Sequence, residues 1–187
     1  QGDLAAKLIK ANLQVLIFNQ RSIEEILEVI LTIGRIVSAE DKAQKLVDGY
    51  KKRLNLLREK SDKIQNKPKV YFEEWDDPTF SGIRWVSELI EIAGGEDIFA
   101  NKSHGKLAME REIQWSDVIK KNPDVILASW CGKPVDIDSI KKREGWNEIT
   151  AIKNNRIHEI DSSIILQPGP ACLTEGLKVI KSLIREQ

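Results

Sequence analysis

Three stretches of this chain concentrate side chains suited to molecular recognition. They are Glu74-Trp75-Asp76-Asp77-Pro78-Thr79-Phe80-Ser81, Trp130-Cys131-Gly132-Lys133-Pro134, and Asp161-Ser162-Ser163-Ile164-Ile165-Leu166-Gln167-Pro168-Gly169-Pro170. A fourth, Asn101 to Glu112, is long and polar and contains His104-Gly105. Together they mix aromatic rings with carboxylates, hydroxyls and turn residues. Trp and Phe give wide contact area at little entropic cost, and the prolines stiffen the segments that carry them. Such a composition suits a pocket for a large, flat, partly apolar molecule with polar edges. Trp75, Phe80 and Trp130 are the aromatic candidates for ligand contact. Trp85 falls within a helical pattern and, like Trp115 and Trp146, reads as a packing residue.

Reactive chemistry has thinner support. Cys131 follows an apolar run, as a nucleophile could, and His104 and His158 are the only imidazoles. His158 falls inside a strand pattern and reads as structural. A Cys131–His104 dyad would need a geometry that spacing does not supply. His104, Cys131 and the nearby carboxylates show no recurring ligand spacing, so no metal site and no cofactor is expected. Neither glycine-rich phosphate-binding pattern is present. Asp76-Asp77 could form an acid pair, but Asp-Asp-Pro is a common turn. Cys131 and Cys172 both lie near these stretches, which leaves a disulfide open; two cysteines are too few for a disulfide framework.

The composition is that of an ordinary folded chain: 187 residues, 41% hydrophobic and 31% charged. Lys plus Arg number 29, as do Asp plus Glu. That balance argues against nucleic acid as a partner, which calls for a basic excess or stripe. The basic clusters at 51–53, 120–121 and 141–143 are scattered and read as solvated helix faces. No apolar run approaches the ~20 residues needed to cross a bilayer. Gln1-Gly2-Asp3 lacks the basic start and apolar stretch of a signal peptide.

The elements that must position these stretches follow from periodicity. Leu4 to Lys10 is helical, and residues 14–18 (QVLIF) read as a short buried strand. Ser22 with Glu25 three residues on is a capping-box signature. The helix it starts has Ile23, Ile26, Leu27, Ile30, Leu31 and Ile33 on one face, and Gly34 suits its end. A long helix follows over 39–65, spanning on the order of 40 Å, and reads as a strut between two lobes. Beyond Pro68 strands and helices alternate: strands at 69–73, 124–129 and 156–160, helices at 82–93, 115–121, 136–142 and 170–186. The apolar run at 124–129 fits burial on both faces. The rhythm implies an α/β fold: a mostly parallel sheet with flanking helices. In such sheets ligands bind beyond the carboxyl ends of the strands, where the three recognition stretches fall. The expected division is 1–37 as the remnant of a truncated N-terminal α/β lobe, 38–67 as the inter-lobe helix and 68–187 as the C-terminal lobe. One strand cannot bury its faces alone, so the chain reads as a fragment beginning inside a lobe.

These residues resemble a family. FNQRSIEEILEVILTIGRI, VYFEEWDDPTFSGIRWVSELIEIAGGEDIF, NPDVILASWCGK and ILQPGPACLTEGL are similar to the cobalamin and iron-siderophore solute-binding proteins of ABC importers, most of all the cobalamin branch. The likeness covers essentially the whole chain, with the segments in the same order. It implies two α/β lobes joined by one rigid backbone helix, with a metal chelate held between them. About 80 to 100 further residues of the first lobe would then precede Asp3. By position, the ligand contacts of the C-terminal lobe fall on Trp75, Asp77 and Phe80, the segment around His104, Trp130, and Ser163 with Ile164. The family docks on its permease through a surface glutamate on each lobe. Ser116 stands at that position here, so Asp117, Glu112 or Glu110 would supply the charge.

The resemblance further implies a periplasmic or membrane-anchored extracellular protein, without enzymatic activity and monomeric when full length. It would take cobalamin, or otherwise a ferric siderophore or heme, to a membrane permease. Two readings from other classes stand beside it: a cytoplasmic α/β enzyme fragment using Cys131, and an interaction module whose residues 1–36 complete a partner's sheet.

Overall fold

A computed structural model of the chain describes residues 2–185. Helix α1 covers Gly2–Lys10, α2 Ile23–Ile36 and α3 Glu40–Ser61. The capping box at the start of α2 forms as its sequence predicts. Ser22 Oγ accepts from Glu25 N at 3.2 Å, and Glu25 Oε2 accepts from Ser22 N at 3.3 Å. The helix runs two residues past Gly34, because that glycine serves packing rather than termination. A Cβ there would lie 2.4 Å from Ala43 Cβ of α3.

The rest alternates as expected, with additions. Strand β1 is Lys69–Asp76, β2 Thr79–Ser81, then α4 Arg84–Ala93, β3 Glu96–Asp97, α5 Trp115–Lys121, β4 Val125–Ala128, α6 Ile137–Lys141, α7 Thr150–Lys153, β5 Ile157–Glu159, α8 Ser162–Ile165 and α9 Leu177–Arg185. Gly94 ends α4 at φ 101°, a left-handed turn natural to glycine. A π-helical turn, Cys172–Gly176, leads into α9. The sheet order is β2-β1-β4-β5, with β3 also beside β1. β1 pairs in parallel with β3 and β4, and β4 with β5; β2 alone is antiparallel.

Alternation along the strands sorts two cores. Val70, Phe72, Val125 and Leu127 face α2, α3, α4 and α9. Tyr71, Ile126 and Ala128 face the other way, onto Val118, Ile140, Trp146 and Ile149. All four residues of β4 are fully buried, as the apolar run predicts. α3 is no free-standing rod. It buries Ala43, Val47, Leu54 and Ser61 on one face, against α2 and α4, and Ser61 Oγ donates to Glu91 O at 2.6 Å.

Two expectations need correction. Residues 14–18 form no strand. A strand requires a neighbour for its backbone groups, and none among the described residues pairs with it. Leu13, Leu16 and Ile17 stand 55–59% exposed. The stretch after the first strand is not an irregular loop but a hairpin, with Trp75 opposite Phe80 and Asp76 opposite Thr79.

Candidate functional site

Parallel strands deliver their carboxyl ends to one edge, so β1, β4 and β5 bring the three recognition stretches together. Their support lies beneath, in Glu73 of β1. Its carboxylate is wholly buried, which is costly unless the charge is paired and hydrogen-bonded. Arg143 supplies two bonds, at 2.5 and 2.9 Å. Tyr71 Oη donates at 2.9 Å and Trp130 Nε1 at 3.2 Å. The Arg143 guanidinium lies 4.8 Å from the Trp115 ring and 4.6 Å from the Trp146 ring, against both members of an edge-to-face pair. Burial, and then the Glu73 charge, pushes the Tyr71 phenol well above its ordinary pKa. Burial works against the Arg143 charge, but Glu73 outweighs it and the pKa rises.

A second pair fixes the hairpin. Arg111 Nη1 and Nη2 bond Glu74 at 2.6 and 2.8 Å, and Nη1 also reaches Ser81 O at 2.5 Å. Glu74 Oε2 accepts from Ile83 N at 2.9 Å as well. The tip is therefore tied to both the following helix and the segment at 111–113.

At the rim, Lys133 closes the gap between the first two stretches. Its Nζ lies 2.8 and 2.9 Å from the two carboxylate oxygens of Asp76. It also sits 4.4 Å from the Trp75 ring centroid and 4.8 Å from that of Trp130. Gly132, at φ 81°, lets the turn fold the lysine back over these rings. Burial would raise the Asp76 pKa, but the Lys133 bond and local backbone N–H groups hold it below the usual value. Just after the second stretch, Val135 N donates at 3.0 Å to Glu159 Oε1 at the end of β5, which leads into the third. Between them opens a cleft of about 540 Å³ lined by Trp130, Gly132, Lys133, Pro134, Glu159, Ile160, Asp161 and Ser162. A neighbouring hollow of about 560 Å³ lies between residues 18–21 and Ile83, Trp85 and residues 166–168.

The sequence candidates distribute unevenly over this surface. Trp75 is half-buried, its Nε1 donating to Asp77 O at 3.1 Å. Asp77 is exposed at the hairpin turn, and half-buried Phe80 bridges to Glu112. Trp130 is only 4% exposed and forms the floor. Ser163 is exposed on α8, where Asp161 caps its N–H at 2.8 Å, and Ile164 packs half-buried on the core. His104 is exposed in the turn Lys102–His104, and no hydrogen bond among the described residues joins it to the tips or to Cys131.

Trp85 and Trp146 are buried, as predicted, and Trp85 Nε1 bonds Ile165 O at 2.9 Å. Trp115 departs from expectation at 42% exposed. It stands at the surface because its indole bridges to the hairpin, Nε1 donating to Thr79 Oγ1 at 2.9 Å.

The docking candidates lie on α5 and on the segment that precedes it. Asp117 is in the first turn of α5, 3.6 Å from Lys120. Glu110 caps Lys106 N at 2.6 Å, and Glu112 is half-buried beside Phe80. Both cysteines are free. Cys131 is exposed; Cys172 is buried, which pushes its thiol up to about 11. Among the described residues no cluster of His, Cys, Asp and Glu could hold a metal ion.

Sequence reasoning missed Lys133 and the buried pairs Glu73–Arg143 and Glu74–Arg111. An acid within an apolar strand, as in Val-Tyr-Phe-Glu-Glu, was the available signal for a buried carboxylate awaiting a partner.

Residues 1–164 match the family model described as periplasmic binding protein, so the chain belongs to that family. It is 29% identical over 98% of its length to an uncharacterized ABC transporter substrate-binding lipoprotein, YvrC, of Bacillus subtilis, covering 57% of that protein. It is 25% identical to a vitamin B12-binding protein of Vibrio parahaemolyticus, over 84% of this chain and 55% of the other. The chain thus spans little more than half the length of these relatives. A possible iron-binding periplasmic solute-binding protein of Staphylococcus epidermidis superposes with TM-score 0.79 at 25% identity, over 99% of this chain and 71% of that one. Heme-complexed IsdE of S. aureus shares the fold with TM-score 0.78 at 17% identity, over 99% of this chain and 73% of that one. The vitamin B12 binding protein BtuF of Vibrio cholerae does so with TM-score 0.66 at 19% identity, over 100% of this chain and 72% of that one. Substrate-binding proteins of this kind are not enzymes, which removes the reading of Cys131 as a nucleophile.

Proposed function

We propose that this chain supplies one wall of the ligand cleft of an ABC importer's substrate-binding protein, and that its ligand is a metal chelate, with a corrinoid as the first candidate. The observation that carries the reading is the convergence of three strand ends on one rim, where Trp75, Lys133 and Glu159 connect successive stretches. Ring faces at Trp75 and Phe80 suit a broad macrocycle; Asp77 and Ser163 suit its polar edge groups. The vitamin B12-binding relatives support a corrinoid. The heme-bound neighbour keeps heme as the second reading, and a ferric siderophore as the third.

On this reading the protein works outside the cytoplasmic membrane, as a periplasmic or lipid-anchored monomer. Residues 38–67 act as the spacer between lobes and 1–37 lead in from the other lobe, with α2 packed on the core it shares with α4 and α9. Asp117, Glu112 and Glu110 meet a permease, where rim charges govern encounter rate more than affinity. Titration calorimetry of the whole protein against cyanocobalamin, hemin and ferric siderophores tests the assignment. Cyanocobalamin should bind with micromolar or better affinity. Binding of hemin or a siderophore alone would replace the corrinoid, and binding of none would end the chelate reading.

A further inference from the structure

An ammonium group held against two indole faces and a carboxylate is the arrangement proteins use to capture organic cations. Here the captured cation belongs to the chain itself. Lys133 Nζ lies between Trp75 and Trp130, at 4.4 and 4.8 Å from their centroids, and contacts both oxygens of Asp76. The cage walls are fixed independently of the lysine. Trp75 is held by Asp77 O, Trp130 by buried Glu73, and Asp76 by the hairpin pairing to Thr79. The occupant is not fixed. Lys133 sits on an unbranched stem, its side chain is 40% exposed, and its turn pivots at Gly132.

The surrounding charge is one-sided. Among the described residues Lys133 is the only basic one lining the cleft, and Glu159 and Asp161 are both exposed there. Asp77 adds a further exposed carboxylate on the hairpin turn. An anionic ligand reaching for Lys133 would have to take it from Asp76 while approaching like charges. A cationic ligand would instead exchange one ammonium for another.

We propose that Trp75, Trp130 and Asp76 form a cation site that Lys133 fills at rest, and that an ammonium arm, on a ligand that carries one, displaces it. The second clause rests on the chelate-binding reading and narrows it to neutral or cationic chelates, excluding polyanionic ones. Lys133 is then an internal competitor that sets selectivity: a ligand without a cationic arm binds beside the filled cage, and one with such an arm gains the cage as well.

The cage is tested with n-butylammonium as probe, following the indole N–H resonances of Trp75 and Trp130. Lys133→Ala should bind the probe about tenfold more tightly than the unaltered chain, and K133A/D76N should lose that gain. Equal affinity in K133A and the unaltered chain overturns the cage. So does a silent response of both indoles in the unaltered chain at saturating probe. The ligand clause is tested on the unaltered chain with a ferric trihydroxamate bearing a free ammonium arm, its N-acetylated form, and a ferric tris-catecholate. Acetylation should weaken binding about tenfold, with the catecholate weakest. Equal binding of acetylated and free forms, or tightest binding of the catecholate, overturns the clause. Probe binding in K133A with no response to any chelate, corrinoid or hemin overturns the chelate reading while leaving the cage in place.

Discussion

Glu73 and Arg143 form a closed, two-bond ion pair, with side chains 0% and 5% exposed, directly beneath the cleft floor. Breaking such a pair from one side strands a buried charge, at about 3–5 kcal/mol. Glu73→Gln or Arg143→Met should therefore lower the unfolding free energy by roughly that amount in urea titrations. Arg143→Met with Glu73→Met should recover much of the loss, because no charge is then stranded. Recovery should stay incomplete, since Tyr71 Oη and Trp130 Nε1 both lose their acceptor. A single-variant loss under about 1 kcal/mol would mean that water reaches the site and stabilises the orphaned charge.

Asp76 gives the hairpin tip a dependence on acid. Its folded pKa lies below the ordinary carboxylate value because Lys133 and the backbone outweigh the effect of burial. The unfolded chain takes up the proton first as pH falls. The contribution is thus complete above the ordinary aspartate pKa near 3.9 and declines as pH drops through the lower folded value. D76N should flatten this part of the acid limb of a stability-versus-pH curve, while leaving the neutral region lower by less than about 1 kcal/mol. An unchanged acid limb would show that the Lys133 contact is not formed in solution.

The two thiols should separate cleanly in reactivity. Cys131 is exposed, whereas burial raises Cys172 to about 11 and its Sγ lies 3.0 Å from Gly169 O. At pH 8 a thiol reagent should label one site rapidly, with the second following only on unfolding. The buried thiol also predicts a loss of stability in base. Unfolded cysteine releases its proton near pH 9, the folded one near 11, so stability falls as pH rises across that interval. Cys172→Ala should remove this component, and fast labelling of both thiols in the native chain would contradict the burial.

Much of the fold is legible in local patterns, and the exceptions share a cause. The capping box at Ser22, the αL stop at Gly94 and the buried run at Val125–Ala128 are each decided within a few residues. The 14–18 segment has strand-like composition but depends on a partner strand that its own residues cannot specify. The hairpin at Asp77-Pro78 has only the signature of a loop in the sequence, because Trp75 and Phe80 pair across a turn too short to register as two strands. The strand-end rule points to the stretches that carry Trp75 and Trp130, which Lys133 bridges in the structure. It does not single out Lys133, whose importance comes from folding back onto Asp76 at a separation of 57 positions. By local pattern Arg143 belongs to one of three scattered basic clusters that read as solvated helix faces. Its partner lies 70 positions away on β1, and nothing near it in sequence announces burial.

Gly34 offers a test in which two effects of known size oppose each other. Alanine in place of glycine within a helix contributes about 1 kcal/mol of intrinsic propensity. Yet the new Cβ would meet Ala43 Cβ at 2.4 Å and Ala39 O at 3.4 Å. Neither neighbour is the free end of a long side chain, so α2 and α3 must move apart, and overpacking of that kind costs about 1–3 kcal/mol. Gly34→Ala should thus destabilise on balance, and Gly34→Val more strongly, by calorimetric or denaturant unfolding. Pairing it with Ala43→Gly removes the clashing methyl. The double-mutant cycle should then show a favourable coupling of about 1 kcal/mol or more. If Gly34→Ala instead stabilises the chain, the helices are not in contact at this point, and the shared core linking Ile26 and Leu27 to α4 must be looser than the packing indicates.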